Sequence, residues 1–304
     1  MATAIARTRV GSAPDSWGVW FPDDPKQVPW QRFLDELAAA GYTWLELGPY
    51  GYLPTDPAQL LDELARRGLR VSGGTVGGAL HHPSEWDSVV SSARQVAELT
   101  VAAGAEYLVF LPGAYRDGST DDYLEPRQLD AETWRAMTRS ADALGKLVRE
   151  EYGLRLVFHP HADTHVQTQD EIERLLDDTD PDLVSLCLDT GHVTYGGGDN
   201  VALIRAYADR IGYVHIKQMD QAILADVRAK DLSFGEAVRR GVSVEPPGGD
   251  PDIGAIVDAL GELDNELLFV IVEQDLYPCA PDVPLPIATR TLSYLRRCGL
   301  GSEL

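Results

Sequence analysis

The apolar residues of the chain form short runs that alternate with longer stretches of helical periodicity. Each run is apolar at successive positions, which is typical of parallel strands covered on both faces. The stretches between the runs place Leu, Val and Ala three and four residues apart, as amphipathic helices do. The predicted strands are 9–12, 44–47, 69–72, 107–111, 154–159, 184–188, 213–216 and 267–272. This alternation predicts an α/β protein with a parallel sheet.

The helical stretches have recognisable ends. Asp56 is suited to cap a helix that begins at Pro57, and Gly68 suits the position after its last turn. The predicted helices are 30–40, 57–67, 84–103, 130–149, 168–176, 200–209, 253–263 and 286–297. A helix therefore follows each predicted strand.

Eight strand–helix units over residues 1–304 predict a single (β/α)8 barrel domain. A doubly wound open sheet is the alternative, but no G-x-G-x-x-G motif follows the first strand. Polar residues follow nearly every strand instead, as in a ring of active-site loops. An insertion at about 218–252, after the seventh strand, contains a short helical pattern at 232–241 and a Pro/Gly-rich turn at 245–252. We expect it to cover or build the site.

The charge balance excludes some classes of partner. The chain has 26 Lys and Arg against 48 Asp and Glu, a formal net charge of −22. Such a polyanion repels nucleic acids and anionic membranes and attracts divalent cations. The three cysteines form no C-x-x-C motif, which argues against a disulfide framework and a thiolate zinc cluster. We expect a cytoplasmic protein with neither nucleic-acid nor membrane partners.

Charged and imidazole side chains interrupt the apolar runs where four consecutive strands end. A buried carboxylate is costly unless it is paired or bound to a metal. The mouth of a barrel gathers the strand ends, so these four residues predict one divalent-metal site: His159, Asp189, His215 and Glu273. The mixed nitrogen and oxygen set suits Mn²⁺ or Co²⁺, with Zn²⁺, Fe²⁺ and Mg²⁺ as alternatives. Each residue also has a structural interpretation, such as a core histidine or, for Asp189, a helix cap.

Several other residues are candidates for substrate contact. His161 shares its strand parity with His159, and we expect it to face the substrate because it lies farther from the strand. Trp17 would stack on an apolar ring face or plug the barrel, and Glu46 would accept a substrate hydroxyl or form a salt bridge. Lys217 and Asp275 complete the predicted substrate-binding set. The glycine-rich segment 73–78 lacks a phosphate-binding signature, and we expect it to be a loop that makes room for a ligand.

Six segments in this order resemble bacterial inosose dehydratases, a branch of the xylose-isomerase-like barrels. They are HPHADT, SLCLDTGH, HIKQM, LSFGEAVRRGV, PPGGD and VIVEQD. The resemblance implies a divalent metal on residues matching His159, Asp189, His215 and Glu273. The first replaces the Glu usual in the superfamily, as the dehydratase branch also does, and Pro160 interrupts the His run of that branch. It further implies dehydration of a polyol ketone such as 2-keto-myo-inositol, with a thiol such as glutathione as a further cofactor.

This chemistry suggests roles for the catalytic candidates. Removal of the α-proton builds an enediolate, which needs a base, and the departing hydroxyl needs an acid. Lys217 is a candidate base or enolate stabiliser if a neighbouring cation lowers its pKa. His161 and His192 are candidate acids, and Glu273 would couple ligation with proton transfer. A metal-dependent isomerase or epimerase and a non-catalytic metal- or polyol-binding protein are the alternatives, and the sequence does not rank oligomeric states.

Overall fold

Eight parallel strands close into a barrel in the computed structural model, which describes residues 8–263 and 267–301. The barrel strands are β1 (Thr8–Ser12), β2 (Trp44–Glu46), β3 (Arg70–Gly78), β4 (Tyr107–Pro112), β5 (Arg155–Phe158), β6 (Val184–Asp189), β7 (Ile211–Ile216) and β10 (Leu268–Val272). Around the barrel their order is β1-β10-β7-β6-β5-β4-β3-β2, and β1 pairs with both β10 and β2. Closure confirms the predicted (β/α)8 barrel and excludes the open sheet.

Helices surround the barrel and form its outer layer with their apolar faces turned inward. The helices are α1 (Trp30–Ala40), α2 (Pro57–Ala65), α3 (Trp86–Ala102), α4 (Ala131–Tyr152), α5 (Gln169–Asp177), α6 (Thr190–Tyr195), α7 (Asn200–Ala206), α8 (Gln221–Ala229), α9 (Phe234–Arg239), α10 (Ile253–Leu260) and α11 (Pro284–Arg297). Asp56 caps α2 as predicted, accepting a hydrogen bond from the Gln59 amide at 2.8 Å. Of the helices in the described ranges, none combines the length and apolar character needed to cross a membrane.

Large side chains fill the barrel interior below the mouth. The rings of Tyr107, Tyr213 and Phe269 pack against one another, and the Tyr213 hydroxyl donates to Ser72 Oγ at 2.6 Å. Cys187 is buried in the same cluster. The interior is therefore a packed core, and a ligand reaches only its open end.

The predicted insertion follows β7 and is ordered. It contains α8, α9 and a two-stranded antiparallel sheet of β8 (Gln218–Met219) and β9 (Ser243–Val244). The Gln218 amide donates to the carbonyls of Gly249 and Pro251, which fixes the Pro/Gly turn against β8. Phe234 of α9 packs edge-on against the His161 ring. The insertion thus covers one side of the mouth.

The glycine-rich segment 73–78 belongs to strand β3, which corrects its prediction as a loop. Residues 73–78 pair in register with β4, and only Thr75–Gly77 line the cavity at the mouth. A Cβ at Gly74 would collide with Thr100 and Val96 of α3. Gly74, and Gly78 against Val89, therefore let α3 pack closely on the sheet. In the sequence alone, such glycines look the same as the glycines of a loop.

Substituting Gly74 tests this close packing. In G74A the added methyl meets the Thr100 hydroxyl and forces α3 outward, so we expect the free energy of unfolding to fall by about 1–3 kcal/mol. Urea denaturation measures the change. The control is G118A, where a Cβ would meet its nearest neighbour at 3.6 Å, an ordinary contact. Equal stability of G74A and wild type would contradict the packing argument.

Candidate active site

A cavity of about 850 Å³ opens at the carboxyl ends of the barrel strands. The barrel supplies its floor, whereas the connections after β1 and β4 and the insertion supply its walls. Residues with polar or aromatic side chains in the lining include Asp15, Trp20, Glu46, Thr75, Arg116, His159, His161, His215, Lys217, Phe234, Glu273, Asp275 and Tyr277. Within the described ranges, the cavity is where most of the predicted site residues meet.

The four predicted metal ligands lie together at the cavity floor. One ligand atom from each of His159, Asp189, His215 and Glu273 lies within 4.8 Å of the other three. His159 Nε2 is 3.4 Å from Asp189 Oδ2, and His215 Nδ1 is 3.1 Å from Glu273 Oε2. The side chains come from the ends of β5, β6, β7 and β10, so barrel closure produces the cluster.

Asp189 caps a helix with one carboxylate oxygen and turns the other toward the cluster, a geometry that fits both roles that the sequence left as alternatives. Its Oδ1 accepts a hydrogen bond from the His192 amide at 2.8 Å and caps helix α6. Its Oδ2 faces His159, His215 and Lys217. One carboxylate therefore fixes the start of α6 with one oxygen and offers the other to the cluster.

Glu46 orients His215 from the opposite side of the ring. His215 Nε2 lies 3.0 Å from Glu46 Oε2, and the Thr75 hydroxyl donates to the other oxygen of Glu46. A carboxylate that accepts from one imidazole nitrogen leaves the second nitrogen as a lone-pair donor, the arrangement common behind metal-bound histidines. Glu46 also lines the cavity, so its contact with His215 leaves the predicted substrate-binding role open.

The donor set fits a divalent transition metal. His159 Nδ1 is buried without a hydrogen-bond partner in the described part of the chain, and His215 Nδ1 faces carboxylate oxygens of Glu273 and Asp189 at 3.1 and 3.7 Å. Two imidazoles and two carboxylates suit Mn²⁺, Co²⁺, Zn²⁺ or Fe²⁺. Cys187 could replace a carboxylate geometrically, but burial raises the pKa of its thiol to about 12. A protonated thiol is a poor ligand, so the carboxylate set fits better.

Lys217 lies among three carboxylates. Its Nζ is 2.8 Å from Asp275 Oδ2, 3.1 Å from Glu273 Oε2 and 3.2 Å from Asp189 Oδ2. Burial would lower the pKa of Lys217, but these negative charges raise it well above its usual value. The sequence predicts a neighbouring cation that lowers this pKa, whereas the structure adds three carboxylates that raise it; a bound cation would oppose their effect.

The other two predicted catalytic histidines stack beside the cluster. The rings of His161 and His192 are 3.8 Å apart. His161 Nδ1 is 2.8 Å from the Ala162 carbonyl, and His192 Nδ1 accepts from the Ala162 amide at 3.2 Å. Burial lowers the pKa of His161 to about 3 and that of His192 well below its usual value. Both rings are therefore neutral, and His192 faces a donor at each nitrogen, the Ala162 amide at Nδ1 and Lys217 Nζ at Nε2.

Trp17 is placed away from the cavity, which corrects its prediction as a substrate-binding residue. Its indole is fully buried, packs edge-on against Phe33, and donates to Glu36 at 2.9 Å. The Trp17 indole therefore belongs to the outer core and does not stack on a ligand. The ring that lines the cavity is Trp20, whose Nε1 donates to Asp275 Oδ1 at 3.2 Å.

Asp15 is a site residue that the sequence analysis missed. It lines the cavity, and neither carboxylate oxygen has a hydrogen-bond partner among the described residues. Burial and the negative charges of Glu273 and Asp275 raise its pKa well above its usual value. Its position after the first strand, where a polar residue faces the mouth, was the available signal.

Curated relatives of this chain are inosose dehydratases. The chain is 35% identical over 285 residues to the inosose dehydratase of Geobacillus kaustophilus, covering 90% of each chain. It is 28% identical over 295 residues to that of Clostridium perfringens, covering 96% of this chain and 97% of the relative. The family model for the xylose isomerase-like TIM barrel matches residues 34–297.

Solved structures show the same fold at lower sequence identity. The IolI protein, solved with a bound zinc atom, matches with a TM-score of 0.70 at 17% identity, covering 96% of this chain and 99% of that one. The probable 3-DHS dehydratase AsbF from Bacillus anthracis matches with a TM-score of 0.70 at 13% identity, covering 95% and 98%. From the family model and the close relatives together, the chain belongs to the xylose isomerase-like TIM barrel family and, within it, to the inosose dehydratases.

Proposed function

We propose that this protein is a metal-dependent hydro-lyase that dehydrates a cyclic polyol ketone such as 2-keto-myo-inositol. The observation that carries the proposal is the convergence of His159, Asp189, His215 and Glu273 within 4.8 Å, with Lys217 beside them on the cavity floor. Membership of the dehydratase family supplies the reaction class. A bound divalent cation supplies Lewis acidity toward a ketone oxygen and a neighbouring hydroxyl.

Lys217 is the residue best placed to act as an acid or electrostatic stabiliser. Its Nζ lies within 3.2 Å of three carboxylates, which favour the charged ammonium, so Lys217 holds a proton rather than accepting one. A charged donor at the cavity floor stabilises negative charge that develops on the substrate and can protonate a departing hydroxyl. The sequence left two roles open for Lys217, a base and an enolate stabiliser. The charged ammonium favours the enolate stabiliser.

The neutral histidines and Glu273 supply the acceptors. His161 donates from Nδ1 to the Ala162 carbonyl, so its Nε2 is left to accept a substrate hydroxyl. His192 Nε2 lies 3.2 Å from Lys217 Nζ, and because an ammonium only donates, this ring orients Lys217 rather than supplying a proton to it. The Glu273 carboxylate is the proposed acceptor of the α-proton, because it is anionic and lines the cavity.

The cavity also suits a neutral polyol. Trp20 and Phe234 provide apolar ring surface, while Glu46, Asp15 and Asp275 provide hydroxyl acceptors. We propose Mn²⁺ or Co²⁺ as the physiological ion, glutathione or another thiol as a further cofactor, and a cytoplasmic location. All residues of the site come from one chain, so the site does not need a second chain to be complete. It is therefore compatible with an oligomeric assembly.

An activity assay tests the proposed function. We expect chelator-treated protein to be inactive on 2-keto-myo-inositol and to regain turnover with divalent ions, most with Mn²⁺ or Co²⁺. Dehydration gives a conjugated product, which ultraviolet absorbance follows and mass spectrometry identifies as the loss of one water. Parallel assays with and without glutathione test the thiol. An isomeric polyol ketone of unchanged mass would identify an epimerase or isomerase instead, and no reaction with any ion would contradict both.

A further inference from the structure

A second group of histidines lies outside the cavity lining. His81 and His82 follow β3, Glu125 belongs to the connection between β4 and α4, and His165 follows β5. One ligand atom from each of His81, His82 and Glu125 lies within 4.8 Å of the others. His81 Nε2 is 2.8 Å from Glu125 Oε1, and His82 Nε2 is 3.0 Å from Glu125 Oε2. The proposed dehydration uses none of these residues.

The contacts of His165 point to a cation in this group. Its Nδ1 lies 3.0 Å from the Arg127 carbonyl, so Nδ1 must carry a proton to make that hydrogen bond. In a neutral imidazole, Nε2 then carries a lone pair and no hydrogen, yet this nitrogen lies 3.2 Å from an oxygen of the Glu125 carboxylate. Two lone pairs at that distance repel, so the contact needs either a second proton on His165 or a metal ion.

The spacing and burial of the group suit a small ion. Ligands at about 2.0–2.1 Å from a tetrahedral zinc are about 3.3 Å apart. The contacts to Glu125 span 2.8–3.2 Å, and His81, His82 and Glu125 share a group within 4.8 Å, so an ion would engage these three first and His165 would complete the set by a larger movement of its ring. The His81 and His165 side chains are buried, whereas His82 is 47% exposed and opens the group to solvent.

We propose that His81, His82, Glu125 and His165 form a second metal site, specific for a zinc-like transition ion. Three imidazole nitrogens and one carboxylate oxygen are the donors that Zn²⁺ prefers, and they suit Ca²⁺ and Mg²⁺ poorly. Four protein ligands leave no open position, which is typical of a structural site. The net charge of −22 favours cation uptake.

An ion at this site would stabilise one wall of the cavity. Its ligands come from three separate connections, after β3, β4 and β5. The Tyr115 amide donates to the Asp163 carbonyl at 2.8 Å, and the Leu124 amide, next to Glu125, donates to the Tyr115 carbonyl at 2.8 Å. Arg116 and Asp163 line the cavity. Metal binding would thus fix the segments that support these lining residues.

Zinc stoichiometry tests the proposal independently of the reaction. Proteins are treated with chelator, dialysed against buffered Zn²⁺ and analysed for bound zinc per chain. We expect two ions in wild type, one in H82A, one in E125Q, one in D189N and none in H82A/D189N. Zinc should also raise the melting temperature of D189N but not that of H82A/D189N.

The controls separate the two sites from each other and from adventitious binding. E85Q removes an exposed carboxylate near His82 and should retain two ions. One ion in wild type that D189N loses and H82A keeps would overturn the second site and leave a charged His165–Glu125 pair. One ion that H82A loses and D189N keeps would instead contradict the metal site of the proposed function. Because His82 is exposed and E125Q preserves side-chain size, failure of one variant to fold leaves the other as the test.

Discussion

The substitution D189N is expected to abolish dehydration while the barrel stays folded. Asparagine still offers an oxygen to the His192 amide, so the cap of α6 persists. The negative charge facing His159, His215 and Lys217 is lost. Loss of a charged ligand removes several kcal/mol of transition-state stabilisation, so turnover should fall by about 10³-fold or more.

Steady-state turnover and bound metal per chain measure this effect together. The matched control is D199N, the same change at the cap of α7, where Asp199 accepts from the Ala202 amide at 3.0 Å on the surface. D199N should match wild type in turnover and metal content. Full turnover of D189N after exhaustive chelation would contradict the proposed metal chemistry.

The substitution K217M is expected to destabilise the metal-free protein and to inactivate the loaded protein. Without the ammonium, the carboxylates of Asp189, Glu273 and Asp275 lie buried at the cavity floor with reduced compensation. Breaking a buried ion pair typically costs about 3–5 kcal/mol in the free energy of unfolding. A divalent cation should recover much of this loss, because it also binds carboxylate oxygens. Turnover should still fall by about 10²–10⁴-fold, the contribution of a positioned acid.

Urea denaturation with and without Mn²⁺, combined with turnover, separates the two effects. The control K230M removes an exposed lysine whose Nζ is 2.7 Å from Asp226, and it should change the unfolding free energy by less than about 0.5 kcal/mol. K217M with wild-type turnover would exclude Lys217 as acid or stabiliser. Unchanged stability of the metal-free variant would show that the three carboxylates are protonated or hydrated instead.

The fold was predictable because strand and helix periodicities differ and the order of elements was regular. All eight barrel strands were located, with errors of a few residues at their ends. The largest error concerned β3, which continues to Gly78. Glycines that admit a packed helix and glycines of a loop look alike in a single sequence, because the difference lies in what faces them across the interface.

The site was predictable wherever a charged side chain ended a strand, since barrel closure alone brings such residues together. His159, Asp189, His215 and Glu273 illustrate this case. Trp17 and Asp15 show where the approach fails. They lie in one short 3₁₀ turn, Pro14–Trp17, and only its backbone path decides which side chain faces the cavity and which faces Phe33. The charge of Lys217 likewise depends on three carboxylates, one at the end of β6 and two after β10, the strands that pair with β7 on either side.

The insertion after β7 bears on how the substrate of this protein could change while its reaction stays the same. It contributes Phe234 and Gly235 to the cavity lining, yet all four clustered ligands come from the ends of barrel strands. Mutations or length changes in α8 and α9 would therefore alter which molecules are admitted while the reactive centre is inherited unchanged. Substitutions in the insertion could thus change the substrate specificity while the residues at the reactive centre stay the same.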